Sequence, residues 1–398
     1  MTVKRVATLI GDPELEAAVA GRIGSDRDVE LVMRCVDRVE LLALVRSRSI
    51  DGVVSVGHPH WLDAETVQEA TDAHVRIVGV SDHPLDVESF QRAAIAIVPS
   101  ESPLPEILDR LSSEEPAVEV SQEDAAHEGK LIAAWGPKGS PGRTTVAIEL
   151  AACLAAMQPR TLLADCDPYG GDILQRLGII EDVPTIIWAA RRAGKGEWDA
   201  SLVAEELRRA GPRGPVVLPG IPRAELWAEV SDYGLQRLLA DARRHFAFTV
   251  ADVGFCLEPG EGVIESPGRN RMARSIVGAA DRVIAVLGPD PFALKAFVSA
   301  WPELLSLADE EDIVVVGNRL PLRHRKELSE ALRASVGRPL SLSLPDVYGD
   351  AQWAMKRSRS IFESRPRCSL CDEIRSLAAL LGGQVQKKGI LTRLGGKA

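Results

Sequence analysis

The stretch that most constrains this chain is Trp135-Gly136-Pro137-Lys138-Gly139-Ser140-Pro141-Gly142-Arg143-Thr144-Thr145. Leu131 to Trp135 is an apolar run without polar alternation, as a strand buried on both faces requires. Val146 to Met157, rich in alanine and leucine, reads as a helix. Between them, Gly139 and Gly142 permit backbone dihedrals that a Cβ disfavours. Backbone N–H groups can therefore converge on one point at the helix N-terminus, the arrangement a phosphate-binding loop needs.

Against the pattern G-x-x-x-x-G-K-[ST], Pro137 stands at the first glycine and Arg143 at the lysine. A different template covers more of the segment. Lys138-Gly139-Ser140-Pro141-Gly142-Arg143-Thr144-Thr145 resembles the deviant Walker A loop K-G-G-x-G-K-[ST]-T of the MinD/ParA ATPases. The resemblance implies ATP and Mg²⁺ as cofactors. It makes Lys138 the signature lysine that reaches the partner's nucleotide across a dimer, sets Arg143 at the β- and γ-phosphates, and gives Thr144 to Mg²⁺. Arginine here is a planar fork in place of a compact point charge, so nucleotide binding is expected with slow or absent hydrolysis. Standing alone, the segment reads equally well as a Gly/Pro turn joining a strand to a helix.

Other stretches extend the resemblance. Arg160 to Asp167 reads as a second buried strand, ending in Asp165-Cys166-Asp167-Pro168-Tyr169-Gly170-Gly171-Asp172. This resembles the family's D-x-D-x-x-G switch region, which implies that Asp167 sits near the attacking water and Mg²⁺. Phe246 to Ala251 reads as a strand running into Asp252-Val253-Gly254, similar to a Walker B strand with Asp252 holding Mg²⁺ through water. Val283 to Leu287 matches the next strand. Ile313 to Val316 leads to Gly317-Asn318-Arg319, where the resemblance gives Asn318 the adenine. Leu344-Pro345-Asp346 resembles the Pro-Asp turn that contacts the base. All of these fall at the C-terminal ends of strands, where open α/β sheets bind ligands.

A length of 398 residues accommodates two or three domains. A net charge of −10 argues against a general nucleic-acid surface. There is no secretory signal and no apolar run of transmembrane length, so the expected compartment is the cytoplasm, with recruitment to the inner face of the membrane open. The six cysteines are scattered, which fits reduced thiols. Cys368 and Cys371 form the sole C-x-x-C, and no second pair supplies the further ligands zinc requires.

Residues 1–111 alternate strand-like and helix-like stretches and resemble a response-regulator receiver domain, with Asp12 after the first strand and Ser81 after the fourth. The chemistry is degenerate. Ser55-Val56-Gly57-His58 stands where a phosphoacceptor aspartate belongs, and Pro99-Ser100 where a lysine belongs, so the domain reads as a docking module. His58 and His60 read as a solvent-facing loop rather than a metal site. Residues 112–129 read as an acidic flexible linker or a solvated helix.

Leu174 to Leu177, Leu202 to Arg209 and Leu235 to Arg243 read as helices, and Val216 to Leu218 as a strand. Trp188, Trp198 and Trp227 read as packing residues. Arg191, Arg192 and Lys195 read as a solvated face, whereas the run Arg323 to Lys326 reads equally well as a helix-start charge cluster or, as the resemblance implies, as part of the nucleotide and partner surfaces. The basic tail 384–398 has too short an apolar face for a stable membrane anchor and reads as disordered.

The expected architecture is α/β: a receiver-like, flavodoxin-like domain followed by a P-loop NTPase domain over 130–383 with a mostly parallel sheet. That arrangement resembles the CpaE/TadZ proteins, which position Flp/Tad pilus secretion machinery. It implies a dimerising, nucleotide-responsive localisation factor, with pilus assembly proteins as partners and peripheral membrane contact weakly supported. Two alternatives stay open: a ParA-type partitioning ATPase, and a pseudo-ATPase scaffold that binds no nucleotide.

Overall fold

The computed structural model describes residues 4–59, 61–62, 64–93, 95–112, 129–179, 185–194, 197–198, 206–259 and 268–382. The architecture is α/β with two mostly parallel sheets. Two compact units carry them, one built on residues 1–126 and one on 127–191 with 198–398.

The first unit contains β1 (Lys4–Ile10), β2 (Val29–Cys35), β3 (Gly52–Val56), β4 (Arg76–Val80) and β5 (Ala96–Val98). They pair in the order β2-β1-β3-β4-β5, all parallel, which is the doubly wound flavodoxin-like order. The apolar runs of β1 and β3 follow from this order, because both faces are covered. Ala7, Leu9 and Val53 pack into one core layer with Leu41 and Phe90, whereas Val6, Val54 and Val56 pack into the other with Val19 and Ile107. The Pro84–Arg92 helix was not legible in the sequence.

Asp12 caps the Pro13–Gly24 helix, its carboxylate accepting from the N–H groups of Glu14 and Leu15 at 3.1 Å each. The buried Ser55 hydroxyl donates to the Gly57 carbonyl at 2.9 Å. His58 packs edge-on against Phe90, with ring centroids 5.0 Å apart, and so serves packing, unlike the solvent-facing reading; His60 lies outside the described residues.

The linker and the tail fall outside the described residues, apart from the linker's two ends. Those ends are structured. Ser112 closes the Leu104–Ser112 helix, and the Gly129 N–H donates to the Arg243 carbonyl at 2.8 Å.

The second unit contains β6 (Lys130–Trp135), β7 (Thr161–Cys166), β8 (Arg208–Arg209), β9 (Val216–Leu218), β10 (Phe248–Val253), β11 (Arg282–Leu287), β12 (Ile313–Gly317) and β13 (Leu342–Ser343). Their order is β13-β12-β11-β6-β10-β7-β9-β8, with every pair parallel except β8 with β9. The helix expected over Leu202 to Arg209 is corrected at its end: Arg208 and Arg209 form a hairpin strand against Val216 and Val217. The cause is the turn that follows, where Gly211 takes φ +83 and Arg209 donates to the Gly214 carbonyl at 3.0 Å.

The Arg143–Met157 helix is buried along Val146 to Ala155, which explains its apolar composition all round. The Ile361–Ser364 and Ser369–Leu380 helices pack on it. Trp188 meets Trp198 edge-on at 5.9 Å, and Arg271 lies 5.8 Å from the Trp227 ring, so these tryptophans do pack. Among the described residues no helix is long and apolar enough to cross a membrane.

Candidate functional site

Strand β6 delivers the chain into a loop with three departures from ordinary backbone within four residues: φ is +102 at Gly139, +53 at Ser140 and +97 at Gly142. Gly142 is required twice over. A Cβ there would lie 2.2 Å from Asn318 Nδ2, and the left-handed conformation disfavours any side chain. The helix that follows starts at Arg143 with no side chain capping its N-terminus, so its first-turn N–H groups remain open to an anion.

Sheet order assembles the rest. β10 lies between β6 and β7, and its register sets Asp252 opposite both Ala134 and Asp165. Asp165 and Asp252 are both buried. Burial, reinforced by the charge of Asp252, pushes the Asp165 carboxyl up to about 7. Burial also pushes Asp252 up to about 6, against a lowering hydrogen bond from the Thr144 side chain. One oxygen of Asp252, Oδ1, is buried without a partner. Asp165 accepts from the N–H groups of Asp167 and Ile173 at 3.3 Å each, and a Cβ on Gly171 would lie 1.9 Å from its carboxylate oxygens. Only glycine fits there.

Arg143 extends its fork between two groups, donating to the Gly136 carbonyl at 3.2 Å and to Asp167 Oδ2 at 3.3 Å. Asp167 also accepts from the Tyr169 N–H at 2.9 Å. Asn318 is buried, and its side-chain amide donates to the Pro141 carbonyl at 2.8 Å, bracing the loop. Arg319 donates to the Ser140 carbonyl at 2.8 Å from the same side.

A cavity of about 430 Å³ opens over the loop. Ser140, Gly142, Arg143, Thr144 and Thr145 line one side of it, and Asp167, Asn318, Pro345 and Asp346 line others. Asp346 is held by the Tyr348 N–H, which donates to its Oδ1 at 3.1 Å. Asp252 is not among the residues that line the cavity but is hydrogen-bonded to Thr144, which is, and Gly139 and Pro141 shape the loop without lining it. Lys138 stands apart. It is exposed and lines a separate cavity of about 380 Å³ with Phe255, Phe292 and Lys295.

Two polar residues that line the main cavity were missed in the sequence. Arg176, one helical turn beyond the switch-like stretch, lines the main cavity and donates to Thr145 Oγ1 at 2.9 Å. Glu149 is buried on the Arg143–Met157 helix and accepts from the Ile361 and Phe362 N–H groups at 2.8 and 2.7 Å. A lone acid within an apolar helix was the available signal for Glu149.

No protein-family model matches the chain. Over short stretches it is similar to two curated proteins. It is 50% identical over 42 residues to the sporulation initiation inhibitor protein Soj of Bacillus subtilis, covering 11% of this chain and 17% of that protein. It is 48% identical over 54 residues to the chromosome partitioning protein ParA of Myxococcus xanthus, covering 14% and 19%. The matches thus span less than a fifth of each relative's length. Among solved structures, a ParA family ATPase from Chlorobium tepidum superposes with a TM-score of 0.53 at 16% identity, covering 63% of this chain and 98% of that one. That share exceeds what the first unit contains. The loop, the strand order and the superposition agree: this chain carries the P-loop fold of the ParA-family ATPases.

Proposed function

We propose that the second unit binds Mg-ATP and that this chain is a dimerising positioning factor of the MinD/ParA type. The observation that carries the reading is the pairing of an uncapped helix N-terminus with a buried Asp252 oxygen that has no partner. The donor set fits a divalent cation: Thr144 offers a hydroxyl and Asp252 a carboxylate oxygen. Among the described residues no group of three or more His, Cys, Asp or Glu side chains could hold a metal by itself, so phosphate oxygens and water complete the shell. Bound there, Mg²⁺ supplies charge neutralisation of the phosphates.

Loop N–H groups of Gly139, Ser140, Gly142 and Thr145 cradle the phosphates, while Asn318, Pro345 and Asp346 border the base. Arg143 must leave Asp167 to meet a phosphate, which slows turnover. In a thermal melt, Mg-ATP is expected to raise the transition of the second unit, by about 2.7 kcal/mol at a hundredfold excess over Kd. Thr144→Ala should lose the Mg²⁺-dependent part, and phosphate release should be slow. No shift at millimolar Mg-ATP refutes the reading.

The finer assignment, a CpaE/TadZ-like factor of pilus assembly, is supported by the flavodoxin-like strand order of the first unit and by its lack of an acceptor carboxylate at Ser55. We read that unit as a degenerate receiver used for docking. The short matches to Soj and ParA favour partitioning as a second reading, and DNA retention that weakens with salt would support it.

Lys138 lies outside the main cavity on an exposed loop, a suitable position from which to complete a partner's site. Sedimentation is expected to show a homodimer population that grows with Mg-ATP and does not grow in Lys138→Ala. A monomer in both states overturns the dimer.

A further inference from the structure

Cys368 and Cys371 are brought together at the start of the Ser369–Leu380 helix. Their sulfurs lie 3.1 Å apart, with Cys368 at the N-cap and Cys371 one turn on. The two differ in setting. Cys368 is half-buried, at the positive end of a twelve-residue helix, whereas Cys371 is 1% exposed within the apolar core and its thiol donates to the Arg365 carbonyl at 3.3 Å. Burial pushes the Cys371 thiol up. All six cysteines are free, and no other sulfur pair lies in contact among the described residues. Zinc needs about four ligands, and the described residues around this pair supply no third.

We propose that Cys368 and Cys371 form a redox-active dithiol that reacts with small disulfides of the glutathione type. A C-x-x-C at a helix start brings the Cα atoms within reach of a disulfide, and the accessible member attacks while the buried member resolves. The Cys368 thiolate attacks one sulfur of the oxidant, forming a mixed disulfide and expelling one thiolate. Cys371 then gives up its proton and attacks the Cys368 sulfur, closing the intramolecular disulfide and expelling the second thiolate. Two protein thiols are oxidised, and one small disulfide is reduced to two thiols. Leu370 and Ile374, on either side of Cys371, line the 430 Å³ cavity, so closure fixes the turn that forms this wall.

The test uses the full chain equilibrated in glutathione buffers of increasing oxidation, acid-quenched, alkylated and mapped by peptide mass. The expected result is a reversible loss of two hydrogens confined to the peptide carrying both cysteines. Cys371→Ser should accumulate a glutathione adduct on Cys368, and Cys368→Ser should form neither disulfide nor adduct. Six alkylated thiols throughout the series overturn the proposal, as does a disulfide paired elsewhere. So does an adduct in Cys371→Ser that settles on Cys256 instead.

Discussion

Glu149→Ala is expected to destabilise the second unit by about 3–5 kcal/mol near pH 5 but by only about 1 kcal/mol near pH 8. The substitution strands two N–H groups, those of Ile361 and Phe362, at the start of a helix packed on the core. Each costs about 1–3 kcal/mol when left unpaired, and the lost side chain leaves a void. Against this stands the burial of the carboxyl, which pushes it from 4.5 up to about 7. An acid whose folded pKa is raised binds more protons folded than unfolded between those two values. Wild-type stability therefore falls as pH rises through that window, by about 3 kcal/mol in all. Alanine removes that penalty together with the bonds, so the two effects offset each other at high pH and not at low pH. Urea unfolding followed by tryptophan fluorescence measures it, since every tryptophan except Trp61 lies in the second unit. A loss that is equal at both pH values, or larger at pH 8, contradicts the account.

Asp252→Asn should move two readouts in opposite directions. Asp252 and Asp165 face one another across β10 and β7, raised to about 6 and about 7 chiefly by burial. Both raised values mean that the ligand-free fold becomes less stable as pH climbs from about 4 toward 7. An isosteric amide removes one of the two charges, so the free protein should gain about 1–2 kcal/mol near pH 8 and little near pH 5. The same change removes the carboxylate from the proposed cation site. The Mg²⁺-dependent share of the ATP-induced stabilisation, a part of the about 2.7 kcal/mol expected at a hundredfold excess over Kd, should vanish. Calorimetry with and without Mg-ATP at both pH values resolves the two. A variant that melts lower when free and still responds to Mg-ATP would mean that Asp252 is a structural acid.

The apolar runs of β6, β7 and β10 were legible because a strand covered on both faces has no polar alternation to disguise it. The acids at their ends followed, since position along a parallel strand fixes which edge a residue occupies. What sequence could not supply is the use to which each polar atom is put. Arg143 is expected at the phosphates, and the structure adds that its fork joins the Gly136 carbonyl to Asp167. Asn318 is expected at a base, and the structure adds that its amide donates to the Pro141 carbonyl and braces the loop. Both depend on angles within a loop of three positive φ values, which no residue pattern encodes in full. Glu149 and Arg176 act through neighbours remote in sequence or on a short helix with a weak signature. The strand at Arg208 was lost to a helical composition that a Gly-Pro turn overrode.

The long reach of these bonds also sets a timetable for synthesis. The Arg143 to Asp167 pair closes over 24 positions, but Asn318 meets Pro141 across 177, and the Ile361 N–H meets Glu149 across 212. β6 gains its partners only when β10 and β11 arrive. A ribosome adding roughly 5–20 residues per second therefore holds an apolar, unpaired strand in water for several seconds before its neighbours emerge. The strands of the first sheet have all been made by Val98, before β6 begins at Lys130. Strand β6 is thus the segment on which a chaperone or a neighbouring nascent chain would act, and slowing translation between β7 and β10 should lower the yield of soluble protein.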